Sequence, residues 1–510
     1  MTAPNQRGAG YRILTGIGSS IIRQVIGSAE SLLLVPMFLR AWGPDVYGQW
    51  VTVIAAVTYI AALDLGAQSY VGNLLAMAHA NGDEQRFSSV LSEVMSLFVF
   101  VGVGGLVVIA LLVSGVVHVP SFALHLDGKT RWVFLFLAGN TLLAVVGGVY
   151  GTVFQATGLY ALGAMLGNAA KAGGILLGAS LLWFRMPPVL YAAGVFATCA
   201  SLTTTLVIVA ARRVPATRAM HISTANAGRA IKYLPGAIHF WLISFAQNIN
   251  TQGPVLVIAA SGQMSLVSVY ATHRALANVA TYATSFVQGP LTPELSWLAA
   301  RRQSDQLSEA SVALVKVNIV ATGFMALLVY IVAPRFYPAW TGHRFALTST
   351  LLTLLLVQAV VASAWTTANW SALAANRHRA AAYWSVANAV LTIAVAWLLF
   401  PTAGIVGVAG ASLAADVVCG FLVFPRLGAR VSGTRPSTVY RAMARAVLPV
   451  IALLVFAKIA ISFLDSWPAA TVFVAGGALL AYPVVCFLLG GELARWIMLS
   501  LKGAVAGRTR

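Results

Sequence analysis

Apolar runs long enough to cross a lipid bilayer recur along almost the whole chain, and no other feature of the sequence limits its folding as strongly. Hydrocarbon offers no hydrogen-bond partner to a backbone N–H or C=O, so a segment inside it must satisfy its own backbone as a helix or join a closed barrel. A helix needs about 20 mostly apolar residues to cross. Windows of that length give roughly fourteen spans, near 14–39, 46–69, 90–117, 132–156, 160–184, 188–211, 236–260, 265–289, 311–334, 346–373, 380–400, 404–424, 446–464 and 468–490. Only 9% of the 510 residues are charged and 59% are hydrophobic, which leaves too little charge to solvate a globular surface of this size. The expected fold is therefore an all-α polytopic membrane protein with about 14 transmembrane helices.

A net charge of +19 would suit a nucleic-acid partner, but the basic residues sit in short clusters between the apolar runs. The tendency of Lys and Arg to remain on the cytoplasmic side explains such clusters, and nucleic acid is not an expected partner. With the N-terminus inside, 21 of the 32 Lys and Arg fall on the cytoplasmic side, including Arg212, Arg213, Arg218, Arg229 and Lys232. Six fall outside: Arg40, Lys129, Arg131, Arg185, Arg335 and Arg344. That asymmetry makes both termini cytoplasmic and the number of spans even, because one missed helix would invert every later loop. Arg23, Gln24 and Glu30 interrupt the apolar core a cleavable signal peptide would need, so the N-terminal segment is expected to stay uncleaved. Cys199, Cys419 and Cys486 lie far apart inside apolar runs, with neither disulfide nor metal-ligand spacing.

The chain also repeats itself. At an offset near 218, Pro36 meets Pro254, Glu30 meets Asn248 and Gly158 meets Asn376; at an offset near 222, the stretch from Met77 resembles the stretch from Trp297. Six spans per repeat is an even number, so the halves are parallel repeats about an axis along the membrane normal, and such halves enclose a cleft. The expected organisation is an N-terminal lobe at 1–211, a basic linker at 212–232, a C-terminal lobe at 233–430, and two added spans with a tail at 431–510.

The segment from Leu32 to Gly66 reads as two apolar limbs joined at Gly43, Pro44 and Asp45 and closed by Asp64, Leu65 and Gly66. Its proline-broken first limb, G-P-x-x-Y-G corner and D-L-G end resemble the polysaccharide flippases of the multidrug/oligosaccharidyl-lipid/polysaccharide exporter superfamily. The segment Ser371 to Val418, with its G-I-x-G-x-A-G turn from Gly404, resembles the same family's tenth to twelfth helices, and the likeness extends over essentially the whole chain. It implies movement of an undecaprenyl pyrophosphate-linked oligosaccharide from the cytoplasmic to the periplasmic leaflet of the bacterial inner membrane, for O-antigen or exopolysaccharide synthesis. It also implies membrane lipids, a polysaccharide polymerase and chain-length machinery as partners, and no cofactor.

Polar residues inside the spans carry the chemistry. Arg23, Lys171 and Arg274 lie deep, whereas Lys316 and Lys458 lie about one turn from a span end and can reach the interface. Cations held in hydrocarbon face a bundle interior or a wet cavity; these three can donate to the oxygens of a pyrophosphate. The structural alternative is internal pairing, with Glu30 two turns from Arg23 on one helix face and Asp64 nearby. Glu30, Asp64 and Asp416 are the candidates for ion coupling or charge pairing. Gln247, Asn248, Asn250 and Gln252 form an amide run that suits sugar hydroxyls, although hydrogen bonding between helices would use the same groups. Pro36 and Pro254 are candidate gating positions, since matched helix breaks point to a transporter's binding site. His125 to Thr130 ends like a phosphate loop but has Ala123 in place of the required glycine, so ATP is not expected. No loop is long enough to house a soluble catalytic domain, and enzyme activity, including a membrane polymerase or ligase, is not expected. A lipid II flippase and a cation-coupled multidrug exporter remain alternatives.

Overall fold

The computed structural model describes the backbone of residues 6–64, 67–114, 128–300, 304–374, 378–423, 425–426, 429, 435–447 and 450, and their side chains except at 6–25, 28, 67, 69, 112, 283–310 and 367–378. Among the described residues there is no β-strand. The chain is an all-α polytopic membrane protein built as two compact units, Met1–Ser268 and Val269–Arg510. Eight of the described helical stretches are long and apolar enough to cross a membrane. The expected span fourteen lies outside the described residues, as do Asn376 and all of the expected span thirteen except 446, 447 and 450.

The first unit begins with α1 (Gln6–Thr58), whose backbone leaves helical geometry at Gly43, with φ 82° and ψ 174°. A side chain is strained at such a φ and glycine is not; Pro44 then restarts the helix with φ already set. Phe38 and Trp50 are twelve residues apart, about 18 Å along an unbroken helix, yet their ring centroids are 5.9 Å apart. The chain has therefore folded back on itself. Trp42 and Tyr191 complete the aromatic cluster at this corner. Trp42 Nε1 donates to the Met186 carbonyl (2.8 Å), and Arg40 lies over the Trp183 ring, which fastens the corner to the stretch from Trp183 to Met186.

The second limb passes through a six-residue 3₁₀ stretch, Tyr59–Asp64, longer than such stretches usually run, into α2 (Ala67–Ala80). There follow α3 (Glu84–Ser114), α4 (Gly128–Ala156), α5 (Tyr160–Trp183), α6 (Pro188–Arg213), the short α7 (Thr224–Ala230) and α8 (Leu234–Ala259). Phe87, Leu91, Val94 and Phe98 of α3 recur at helical spacing and pack with Leu75 of α2, Val149 and Phe154 of α4 and Leu206 of α6. α8 packs on α1, α2 and the 3₁₀ stretch, where Trp241 Nε1 donates to the Ala62 carbonyl (2.7 Å).

The segment between α6 and α8 docks on α3. Ser92 and Ser96 hydroxyls accept the backbone N–H groups of His221 and Ser223 (3.1 Å each). Glu93, buried, receives Lys232 (2.9 Å) and the Tyr233 hydroxyl (2.7 Å), with Arg229 at 3.7 Å. Burial, then donation to the neighbouring carboxylate, pushes the Tyr233 hydroxyl pKa above its ordinary value.

The second unit contains most of α9 (Met264–Ala300), then α10 (Ser304–Trp340), α11 (Ser349–Ala374), α12 (His378–Ala415) and a π-helical turn at Asp416–Phe421. α12 departs from helical geometry at Gly404 (φ 55°, ψ −140°). Asn388 and Ala415, about 40 Å apart along a straight helix, are hydrogen-bonded at 3.0 Å, so this chain too reverses. A Cβ at Gly407 would lie 2.7 Å from the Leu399 carbonyl oxygen, which explains the second glycine of that turn.

Candidate substrate site

The polar run of α8 resolves into two faces. Ser244, Gln247 and Thr251 are exposed, with partly buried Asn248 beside them; Ala246, Gly253 and Val257, about 80–120° round the helix from Gln247, are buried. At about 100° per residue, Asn250 falls on the packed side, and its Oδ1 is buried without a hydrogen-bond partner. Gln252 lies on the flank, partly buried. Gln247 and Thr251 therefore share an exposed stripe with partly buried Asn248 at its edge, and Asn250 does not belong to it. Polar side chains exposed along a membrane helix belong beside water rather than lipid.

Lys171 is the twelfth residue of the 24-residue α5, about 17 Å from either end of the helix and too deep for its side chain to reach an interface. Its ammonium lies 3.0 Å from Glu30 of α1, and the two side chains are 38% and 42% exposed. The lipid-like face of α5, with Met165 and Leu176 at 65% and 70% exposure, is about 120–140° round the helix from Lys171. The exposure of Lys171 is thus turned away from that apolar face. Gly27, one turn before Glu30, makes room for the ammonium: a Cβ there would lie 3.4 Å from Lys171 Nζ. Gly167, one turn before Lys171, borders open space.

Glu30 therefore has a cross-helix partner that its sequence spacing to Arg23 did not suggest; the Arg23 side chain lies outside the described residues, as does Lys458. Asp64 is held by Gln68, while its Oδ1 is buried without a hydrogen-bond partner. In the second unit, Arg274 lies over the Tyr270 ring at 5.8 Å and Lys316 is partly buried. Asp416, buried, accepts from Gln358 Nε2 (3.2 Å) and Asn388 Nδ2 (3.3 Å), both neutral donors. Pro36 and Pro254 both lie within α-helices, and neither α1 at Pro36 nor α8 departs from helical backbone geometry. Among the described residues no cluster of His, Cys, Asp or Glu could hold a metal ion.

Two polar groups escaped notice in the sequence. One is the buried His273 of α9, whose Nε2 accepts the Thr348 backbone N–H (3.0 Å) and whose Nδ1 faces the Val269 carbonyl (2.7 Å). The other is the docking of Lys232 and Tyr233 on Glu93. A histidine alone in an apolar run and bases already assigned to topology give no sign of a partner far along the chain.

No protein-family model and no curated protein matches the chain. Solved structures do match its fold. A lipid II flippase, MurJ, in an inward closed conformation superposes with a TM-score of 0.65 at 12% identity, over 94% of this chain and 100% of that one. An inward-facing multidrug resistance MATE transporter of the MOP superfamily gives 0.60 at 15% identity, over 81% and 98%. The MATE multidrug transporter DinF-BH gives 0.61 at 14% identity, over 83% and 97%. The chain thus has the fold shared by MATE multidrug transporters and the MurJ lipid II flippase.

Proposed function

We propose that this chain is a flippase that carries an undecaprenyl pyrophosphate-linked oligosaccharide from the cytoplasmic to the periplasmic leaflet of a bacterial inner membrane by alternating access. The observation that carries this reading is Lys171, a cation at mid-depth in a membrane helix, turned from the lipid face and open to a space beside it. A pyrophosphate that must cross hydrocarbon is a natural ligand for such a group. Exposed Gln247 and Thr251, with partly buried Asn248 beside them, offer donors and acceptors to sugar hydroxyls. Arg274 is assigned to the anion as well, Pro36 and Pro254 to gating, and Asp64 and Asp416 to ion coupling or to holding helices together. Directionality then needs a gradient or removal of product, because a ligand bound equally in two states shifts neither.

The extents of the structural matches favour a flippase over a drug exporter. The lipid II flippase covers 94% of this chain and the MATE transporters 81–83%, as expected if 431–510 adds spans to two six-helix lobes. Lipid II itself is the second reading, since its headgroup also hangs from an undecaprenyl pyrophosphate.

The test is leaflet accessibility of the lipid-linked oligosaccharide in cells lacking this protein and in cells carrying Lys171→Ala or Arg274→Ala. Loss of outward exposure on deletion, with at least a roughly tenfold loss of transport in each variant, is expected if each removes a charge-assisted contact to phosphate. Full transport in both variants would remove the cationic assignment. Rescue of a strain lacking its lipid II flippase, without effect on surface polysaccharide, would favour the second reading.

A further inference from the structure

Glu30 is the partner whose presence beside Lys171 needs a reason. If Lys171 only received an anion, a permanent carboxylate 3.0 Å away would oppose that role. If the pair only held α1 to α5, it would need no access to the space beside it, yet both side chains remain about 40% exposed, in helices that otherwise pack closely. A structural pair also needs no space next to it. Here Gly167 leaves open space on the side from which Lys171 projects, and Gly27 lets the ammonium lie close against α1.

We infer that Glu30 is an exchangeable counter-ion, a resident carboxylate that the diphosphate of the substrate headgroup displaces from Lys171 on binding and that recaptures Lys171 on release. This rests on the flippase reading and assigns Glu30 a part in it. The displaced group is a monoanion making one contact. A diphosphate brings more charge and more acceptor oxygens to the same ammonium, so exchange favours the ligand without fixing it there. A cation left bare at mid-membrane would bind the headgroup too tightly to let it go, and would be poorly solvated when empty. The pair is neutral when the site is empty, and Lys171 has an anionic partner at both ends of the cycle. Glu30 thereby tunes affinity downward in exchange for turnover.

The experiment uses the full chain in lipid nanodiscs titrated with undecaprenyl pyrophosphate, with undecaprenol as the uncharged control and inorganic pyrophosphate as the lipid-free one. A half-exposed ion pair sets the scale, so Glu30→Gln is expected to tighten binding of undecaprenyl pyrophosphate about fivefold while slowing leaflet exchange in reconstituted vesicles. Lys171→Met is expected to weaken binding at least about tenfold, and Lys171→Arg to retain it. The double variant Glu30→Gln/Lys171→Met should bind like Lys171→Met alone, because the effect of Glu30 acts through Lys171. Inorganic pyrophosphate should respond in the same order more weakly if the lipid chain adds affinity.

Unchanged or weakened binding in Glu30→Gln, with wild type binding normally, overturns the counter-ion role and leaves the flippase reading intact. Absence of binding in wild type and in Glu30→Gln alike overturns both. Equal losses of thermal stability in Glu30→Gln and Lys171→Met, with no change in affinity, identify a purely structural pair.

Discussion

Two glycines of the G-P-x-x-Y-G corner serve different physical ends. Gly43 supplies the positive φ that turns the chain, whereas Gly48 lies inside a regular helix and supplies absence. A Cβ at 48 would fall far inside contact distance of the Met264 carbonyl, where α9 begins. Thr52 and Ser268 mark the same close approach: Thr52 Oγ1 lies 3.7 Å from Met264 Sδ, and Ser268 Oγ donates to the Pro44 carbonyl (2.5 Å). Backbone cannot give way as a side-chain tip can. Gly48→Ala should therefore destabilise the folded protein by about 1–3 kcal/mol, the usual penalty of overpacking. Gly151→Ala, in α4 with no atom within 4 Å of the added carbon, should be neutral or stabilising by up to about 1 kcal/mol, since alanine favours a helix. Thermal unfolding in detergent compares them; equal midpoints would mean that α9 does not rest on Gly48.

At the scale of the element, α8 shows which information a sequence carries and which it lacks. Its amide run was visible as a density of polar residues, and 100° per residue could have set Asn250 apart from Gln247 and Asn248. Nothing in the run says which side packs, because polar residues occupy both. That is decided by Trp241 donating to Ala62 and by α8 lying on α1 and α2, contacts between residues distant in sequence. The Lys171–Glu30 pair was hidden for the same reason: spacing along one helix offered Arg23 as a partner, and only packing brings α5 beside α1. The Gly43 corner, by contrast, was legible because its cause, a glycine before a proline, is local. The assignment of faces predicts labelling rates. In a background with Cys199, Cys419 and Cys486 replaced, cysteines at Gln247 and Thr251 should react with a water-soluble maleimide at least about tenfold faster than cysteines at Ala246 and Val257. Similar rates at all four positions would mean that the polar stripe does not border water.

For the whole molecule, the repeat and the compact units express different things. Similarity at an offset near 218 is read along the sequence, whereas compactness follows contacts: α8 makes its own with α1 and α2, and the first residues of α9 theirs with the corner at 43–48, so that the first unit runs to Ser268. Neither property says which way the chain crosses the membrane; that rests on charge alone. Arg212, Arg213, Arg218, Arg229 and Lys232 crowd the last turn of α6 and the segment that joins it to α8, while the turn between α5 and α6 carries Arg185 alone and the turn after α10 carries Arg344. Moving the five-base segment outward would oppose the strongest topological preference in the sequence. Alkaline phosphatase fused after Arg218 should therefore be inactive and a fluorescent protein at the same site bright, with the reverse after Arg185 and after Arg344, each contrast at least about tenfold. Because α6 alone separates Arg185 from Arg218, those two fusions must give opposite answers if α6 spans the bilayer, whatever the orientation. Phosphatase activity after Arg218 and not after Arg185 would invert the proposed direction of transport, and activity at both would remove α6 from the membrane.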